Sequence, residues 1–181
     1  MRVRSFQPIA DANAEVLVLG SMPGVASLSA QQYYAHPQNA FWRIIGELLG
    51  VDADTSYARR VKALKAARIA VWDVLESCVR EGSADAMIEE DSLLANDFRT
   101  FFGTHPRIQR VFFNGAKAEA CYKRHVFRRL ETGPIAYSRL PSTSPANASV
   151  TFADKLDAWR AILPPPRRSG NRASTLGALQ P

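Results

Sequence analysis

Asn39, Asn114 and the run Ser142-Thr143-Ser144 have side chains suited to neutral hydrogen-bond chemistry. A carboxamide carries a donor and an acceptor on one group, enough to orient a water or the edge of a ligand without a full carboxylate. Small hydroxylated residues can approach phosphates closely, and Ser21 and Ser27 around the GSMPG turn belong with Ser142, Thr143 and Ser144 in this respect. Each feature also has a plainer use. Asn114-Gly115 is a common turn, PSTSPAN can cap the helix after it, and Asp73 can serve as an ordinary hydrogen-bond acceptor. Several other chemistries are disfavoured. GSMPG lacks the GxGxxG pattern, no GxxxxGK[ST] occurs, and Ser21 does not sit in GxSxG. His36, His105 and His125 show no metal spacing, and Cys78 and Cys121 are isolated, so neither a metal nor a cofactor is expected.

The elements that must position these residues can be read from apolar runs. Val16-Leu17-Val18-Leu19 is continuously apolar, which suits a strand buried on both faces of a parallel sheet. It predicts a strand over 15–19, followed by a sharp turn between Gly20 and Gly24. Further strands are expected over 68–74, 109–113 and 135–140. Helices are expected over 39–49, 56–67, 92–102 and 116–130, with a last one capped by Thr151. The connection up to Pro37 reads as a long loop, and Leu75 to Asp91 as a polar loop with room for a short helix. Met1–Ala14 is expected to lie over the sheet edge. Alternating strands and helices argue for a three-layer α/β/α sandwich around a four-stranded parallel sheet. Its strands end at Gly20-Ser21-Met22, Asp73, Asn114-Gly115 and Pro141-Ser142, which all converge on one sheet edge, where open α/β sheets bind ligands.

A chain of 181 residues, 46% hydrophobic, can bury one substantial core. One domain is expected over 1–163, followed by a disordered, Pro-rich, basic tail over 164–181. No apolar run reaches membrane-spanning length, and the N-terminus lacks a signal-like apolar region, so a soluble cytoplasmic protein is expected. The net charge is +6, and Arg167, Arg168 and Arg172 in the tail supply half of it. Bases gather over 107–139 and acids over 81–97, a polarity that suits a polyanion, although a solvated helix face reads the same way.

GSMPG followed by YYAHPQNAFW resembles motif 1 of the uracil-DNA glycosylase superfamily, and LPSTSPAN resembles its motif 2. The resemblance is to the hypoxanthine-DNA (deoxyinosine) glycosylase branch, and it covers about 16–163. The mismatch-specific uracil branch has an Asn where this chain has Met22, and the uracil enzymes have a polar His or Asn where it has Leu140.

The resemblance implies a monofunctional DNA glycosylase that removes a flipped deaminated base, most readily hypoxanthine, in base excision repair. The partner is then DNA containing that base, and a monomer is expected. Asn39 becomes the catalytic residue, orienting water or the base. Tyr34 stacks on the base, Asn114 pairs with its edge, and Met22 and Leu140 form apolar pocket walls. Ser21, Ser27, Ser142, Thr143, Ser144 and Pro145 contact DNA. No Lys sits in the strand-end loops over sheet strands 1, 3 and 4, which removes the nucleophile for a lyase step. The alternatives are a G:U mismatch uracil glycosylase and a nucleic-acid-binding module without activity.

Overall fold

The computed structural model describes residues 1–52, 54–82, 87–130 and 133–164. In chain order the strands are β1 (Arg2–Arg4), β2 (Val16–Gly20), β3 (Ile69–Asp73), β4 (Leu75–Val79), β5 (Leu94–Ala95), β6 (Arg110–Asn114) and β7 (Ala136–Leu140). The α-helices are α1 (Val25–Ala30), α2 (Phe41–Leu49), α3 (Tyr57–Ala66), α4 (Phe98–Thr104), α5 (Ala116–His125) and α6 (Phe152–Trp159).

Four strands form the central sheet in the order β3-β2-β6-β7, all parallel. Every residue of β2 and β3 is buried, as expected for apolar strands covered on both faces. One helical layer holds α2, α3 and α6, tied by ring contacts of Phe41 with Trp159 and of Trp42 with Tyr57. The other layer holds α4 and α5, where Phe98 meets Tyr122 edge-on and both reach strand residues Trp72 and Phe113. This is the expected three-layer sandwich. The expected tail, beyond Pro164, lies outside the described residues.

A second, antiparallel sheet in the order β1-β4-β5 was not expected from the sequence. It corrects the reading of Leu75 to Asp91 as a loop. It also corrects the helix expected over 92–102. Leu94-Ala95 is instead a strand, and α4 starts only at Phe98, where Asp97 accepts from the Thr100 N–H at 3.1 Å. The long loop before Pro37 contains α1, and the helix expected to run to Leu130 stops at His125, giving way to a 3₁₀ turn over Phe127–Arg129. Within 1–14, Arg2–Arg4 pairs with β4, and Ile9 exchanges backbone hydrogen bonds with Val71 on the free edge of β3.

The tight β3–β4 step fixes the first turn of the site. Immediately after Asp73, the Val74 N–H donates to the Gly20 carbonyl at 2.9 Å and the Leu75 N–H to the Ser21 carbonyl at 3.2 Å. Just after β4, the buried Arg80 guanidinium donates to the Pro23 carbonyl. The GSMPG turn is thus held from behind by the second sheet.

Candidate active site

The carboxyl ends of the four parallel strands open into a cavity of about 370 Å³. Gly20, Ser21 and Met22 line it from β2, Asp73 from β3, Asn114 from β6, and Ser142, Thr143, Ser144 and Pro145 from the loop after β7. Tyr33, Tyr34, His36 and Asn39 close the remaining side. Burial grades the cavity from floor to mouth. Met22, Asp73 and Thr143 are buried, Asn39 and Asn114 are intermediate, and His36 and Pro145 are exposed.

Asn39 stands at the start of α2. Its Oδ1 accepts from the Phe41 N–H at 3.0 Å, and its own N–H donates to the His36 carbonyl at 2.8 Å. A carbonyl oxygen has two lone pairs, so this bond fixes the amide while leaving acceptor capacity on Oδ1 beside the Nδ2 donor. Tyr34 is held in the left-handed region at φ 53°, with its ring stacked on Phe41 at 4.0 Å and 27°. The neighbouring Tyr33 is anchored more fully. Its N–H donates to Tyr57 Oη, its carbonyl accepts from Trp42 Nε1 at 2.7 Å, and its hydroxyl donates to the Gln7 carbonyl. Burial, with the Asp73 carboxylate nearby, pushes the Tyr33 hydroxyl far above the ordinary tyrosine range, so it stays protonated.

Thr143 is the hub of the far wall. Its N–H donates to Asn114 Oδ1 at 2.8 Å, its Oγ1 accepts from Asn114 Nδ2 at 2.8 Å, and its carbonyl accepts from the Ala40 N–H at 3.0 Å. One residue therefore joins β6, the loop after β7 and the start of α2. Around it the loop is built from short-range bonds. Ser142 Oγ accepts from the Ser144 N–H, Ser144 Oγ from the Ala146 N–H, and Asn147 Nδ2 donates to the Ser142 carbonyl. From α6, Lys155 Nζ donates to the Asn147 carbonyl at 2.8 Å and Trp159 Nε1 to the Pro141 carbonyl at 3.0 Å. Burial holds the Lys155 ammonium below the usual lysine range.

These contacts revise several sequence expectations. Leu140 does not line the cavity. Its side chain is buried in the core. Thr143, 1% exposed, has its hydroxyl turned to Asn114 and cannot reach a phosphate. Ser27 Oγ accepts from the Ala35 N–H at 3.1 Å and is buried, so it clips the Tyr-rich loop at the cavity wall. The Asn114 amide is engaged by Thr143 at both Oδ1 and Nδ2, which makes it a clamp on the loop before any contact with a base edge. The structure brings Ser21, Met22, Ser27, Tyr34, Asn39, Asn114, Ser142, Thr143, Ser144 and Pro145 to one cavity.

Asp73 and His36 also line it. The signal for Asp73 was visible, since it is the one charged residue within the apolar run RIAVWDV after its opening Arg68. His36 Nδ1 accepts from the Gln38 N–H at 3.2 Å, which shapes the turn into Asn39. Among the described residues, the cavity lining includes no Lys or Arg. No described group of three or more His, Cys, Asp or Glu is placed to hold a metal ion, and no described helix is long and apolar enough to cross a membrane.

Residues 7–163 match the family model described as the uracil DNA glycosylase superfamily. A protein named hypoxanthine DNA glycosylase from Methanosarcina barkeri is 40% identical over 119 residues, 65% of this chain and 74% of that protein. One of the same name from Methanosarcina acetivorans is 40% identical over 116 residues, 64% of this chain and 72% of that protein. Among solved structures, the solution NMR structure of a Methanosarcina acetivorans protein, provisionally described as a uracil DNA glycosylase, superposes with a TM-score of 0.73 at 34% identity. The match covers 90% of this chain and 99% of that one.

Proposed function

The chain belongs to the uracil DNA glycosylase superfamily, and from that membership we propose that it is a monofunctional DNA glycosylase removing hypoxanthine from deaminated adenine in base excision repair. DNA is its substrate; we further propose that it acts as a monomer in the cytoplasm. The observation that carries the reading is the graded cavity at the strand ends, with Asn39 between its mouth and its buried floor. A base flipped out of the duplex enters such a pocket while its sugar and phosphates stay at the mouth. Asn39 then meets the sugar end of the base, where the bond breaks.

Hydrolysis of the N-glycosidic bond builds positive charge on the deoxyribose and negative charge on the departing base. Asn39 Oδ1, already oriented by Phe41, accepts from the attacking water, and Nδ2 supplies a donor beside it. Tyr34, braced by its stack on Phe41, offers an aromatic face to the base. Met22 supplies an apolar wall where the mismatch-type relatives carry an amide, which disfavours a pyrimidine that needs that partner. With Leu140 outside the cavity, this preference rests on Met22 alone. Because no described Lys lines the cavity, an imine step has no nucleophile there.

The test is single-turnover excision by the full chain on duplexes carrying one hypoxanthine, one uracil or no lesion, followed by alkali. Strand breaks at hypoxanthine, faster than at uracil, are expected. A shifted band without alkali-labile sites would leave only a DNA-binding module, and faster excision of uracil from G:U pairs would reverse the substrate order.

A further inference from the structure

His36 lines the cavity with Asn39, and the mechanism above gives its ring no part in the chemistry. Two hydrogen bonds hold it. The His36 carbonyl accepts from the Asn39 N–H at 2.8 Å, which closes a four-residue turn with Pro37 at its second position. Within that turn His36 Nδ1 accepts from the Gln38 N–H at 3.2 Å. A ring nitrogen that accepts carries no hydrogen, so the neutral imidazole bears its proton on Nε2, and Nε2–H is the donor left for a ligand. The turn thus fixes the tautomer together with the ring, and ties both to Asn39. His36 is exposed, at the mouth, whereas Met22 is buried at the floor. Among the described residues no Lys or Arg lines the cavity to compete for the acceptor that this donor meets.

We propose that His36 Nε2–H donates to N7 of the flipped base and so makes the cavity select a purine. This rests on the glycosylase reading above and deepens it. Met22 only withholds a partner from a pyrimidine, whereas a donor to N7 recognises a purine. The depth of the cavity fits this role. The glycosidic bond is made to N9, which shares the five-membered ring with N7, so that ring stays nearest the sugar and the mouth while the six-membered ring enters toward the floor. A pyrimidine has no counterpart of N7. The contact also strengthens as the reaction proceeds. When the C1′–N9 bond breaks, its electron pair passes into the purine, and N7 takes a share of the negative charge that a positioned donor stabilises. The proton stays on Nε2 throughout. Adenine and guanine share N7, so this contact sets purine over pyrimidine and leaves the choice among purines to other groups.

The experiment uses the full chain and two duplexes whose lesion sugar is 2′-fluoroarabinose, which resists cleavage. One carries hypoxanthine and the other 7-deazahypoxanthine, in which a C–H replaces N7. Wild type is expected to bind the hypoxanthine duplex roughly 2–10-fold more tightly, the range of one neutral hydrogen bond. In His36→Asn the shorter side chain can still accept from the Gln38 N–H, as Asn does in turns, but it offers no donor at the place of Nε2. That variant is expected to bind the two duplexes equally, and to excise hypoxanthine from a natural-sugar duplex more slowly by at least the factor lost in binding. Thermal melting and affinity for an abasic duplex establish that it is folded with its turn intact. His36→Phe, which keeps a flat ring without nitrogens, takes its place if His36→Asn does not fold. Equal binding of the two duplexes by wild type overturns the proposal. So does a preference, or a wild-type excision rate, that survives in the folded variant, since N7 is then read by another group or by none. Failure of the glycosylase reading itself is distinguishable, because wild type then leaves hypoxanthine in place in the natural-sugar duplex.

Discussion

Asn39 has two roles that substitutions can separate. Its Oδ1 holds the Phe41 N–H, so Asn39→Ala removes a helix-start bond as well as the group facing the cavity. A net hydrogen bond of this kind contributes about 0.5–1.5 kcal/mol. Asn39→Ala is expected to lower the melting temperature modestly and to lower excision by at least about 10²-fold, in the range seen when a positioned polar group is removed. Asn39→Ser keeps an oxygen able to take the Phe41 N–H and should recover the melting temperature without recovering excision. Recovery of both together in thermal melts and single-turnover assays would reduce Asn39 to a turn-forming residue. Asn114 differs because Thr143 engages both ends of its amide. Asn114→Asp retains an acceptor for the Thr143 N–H, and its second oxygen can accept from the rotated hydroxyl. Asn114→Ala leaves both Thr143 groups without that partner. Affinity for an abasic duplex should therefore survive Asp and fall with Ala. Unchanged affinity in Asn114→Ala would show that the loop after β7 does not depend on the clamp.

At the scale of elements, what was legible in the sequence depended on how many consecutive residues shared one environment. β2 and β3 are buried throughout, so VLVLG and IAVWD read as strands from composition alone. The second sheet had no such signal. β1 has three residues, β5 has two, and β4 buries Ser77 and leaves Glu76 half-buried, so neither apolar content nor a clean alternation marks them. The site divided in the same way. Asn39, Asn114 and the Ser-rich loop were visible by residue type, and the sheet order brought their strand ends together. The hub role of Thr143 depends on the β6–β7 register and on a bond from Ala40, so local sequence could not show it. That register also explains Gly115, at φ 94°, where a Cβ would meet the Ser142 Cβ at 2.9 Å. Gly115→Ala combines left-handed strain with a backbone-adjacent clash, and strain of this type costs about 1–3 kcal/mol. It is expected to lower the melting temperature and to displace the loop, weakening abasic-duplex affinity. Wild-type affinity in a destabilised Gly115→Ala protein would separate the loop from DNA contact.

At the scale of the whole molecule, the basic segment over 107–139 is less available to DNA than its composition implies. Glu90 takes Lys117 at 2.6 Å and Arg124 at 2.9 Å, and Glu119 takes Lys123 at 2.7 Å and Arg139 at 3.2 Å. Arg110 is turned to the carbonyls of Ala161 and Leu163, tying the end of the domain to the start of β6. The acidic and basic stretches of the sequence thus partly neutralise one another, and with no described Lys or Arg lining the cavity, phosphate attraction there falls to hydroxyls and backbone N–H groups. Arg167, Arg168 and Arg172 add three positive charges with no acid among residues 164–181. Each phosphate neutralised contributes about −0.9 to the slope of log affinity against log salt concentration, so truncation after Leu163 should flatten that slope by up to about 3. The cut keeps the Leu163 carbonyl that accepts from Arg110, so the melting temperature and single-turnover excision at saturating protein should stay near those of the full chain. The measurement is duplex affinity across a salt series beside thermal melting, for both lengths of chain. An unchanged slope would assign the electrostatic contact to the folded domain after all, and a large fall in melting temperature would mean that the removed residues pack against it.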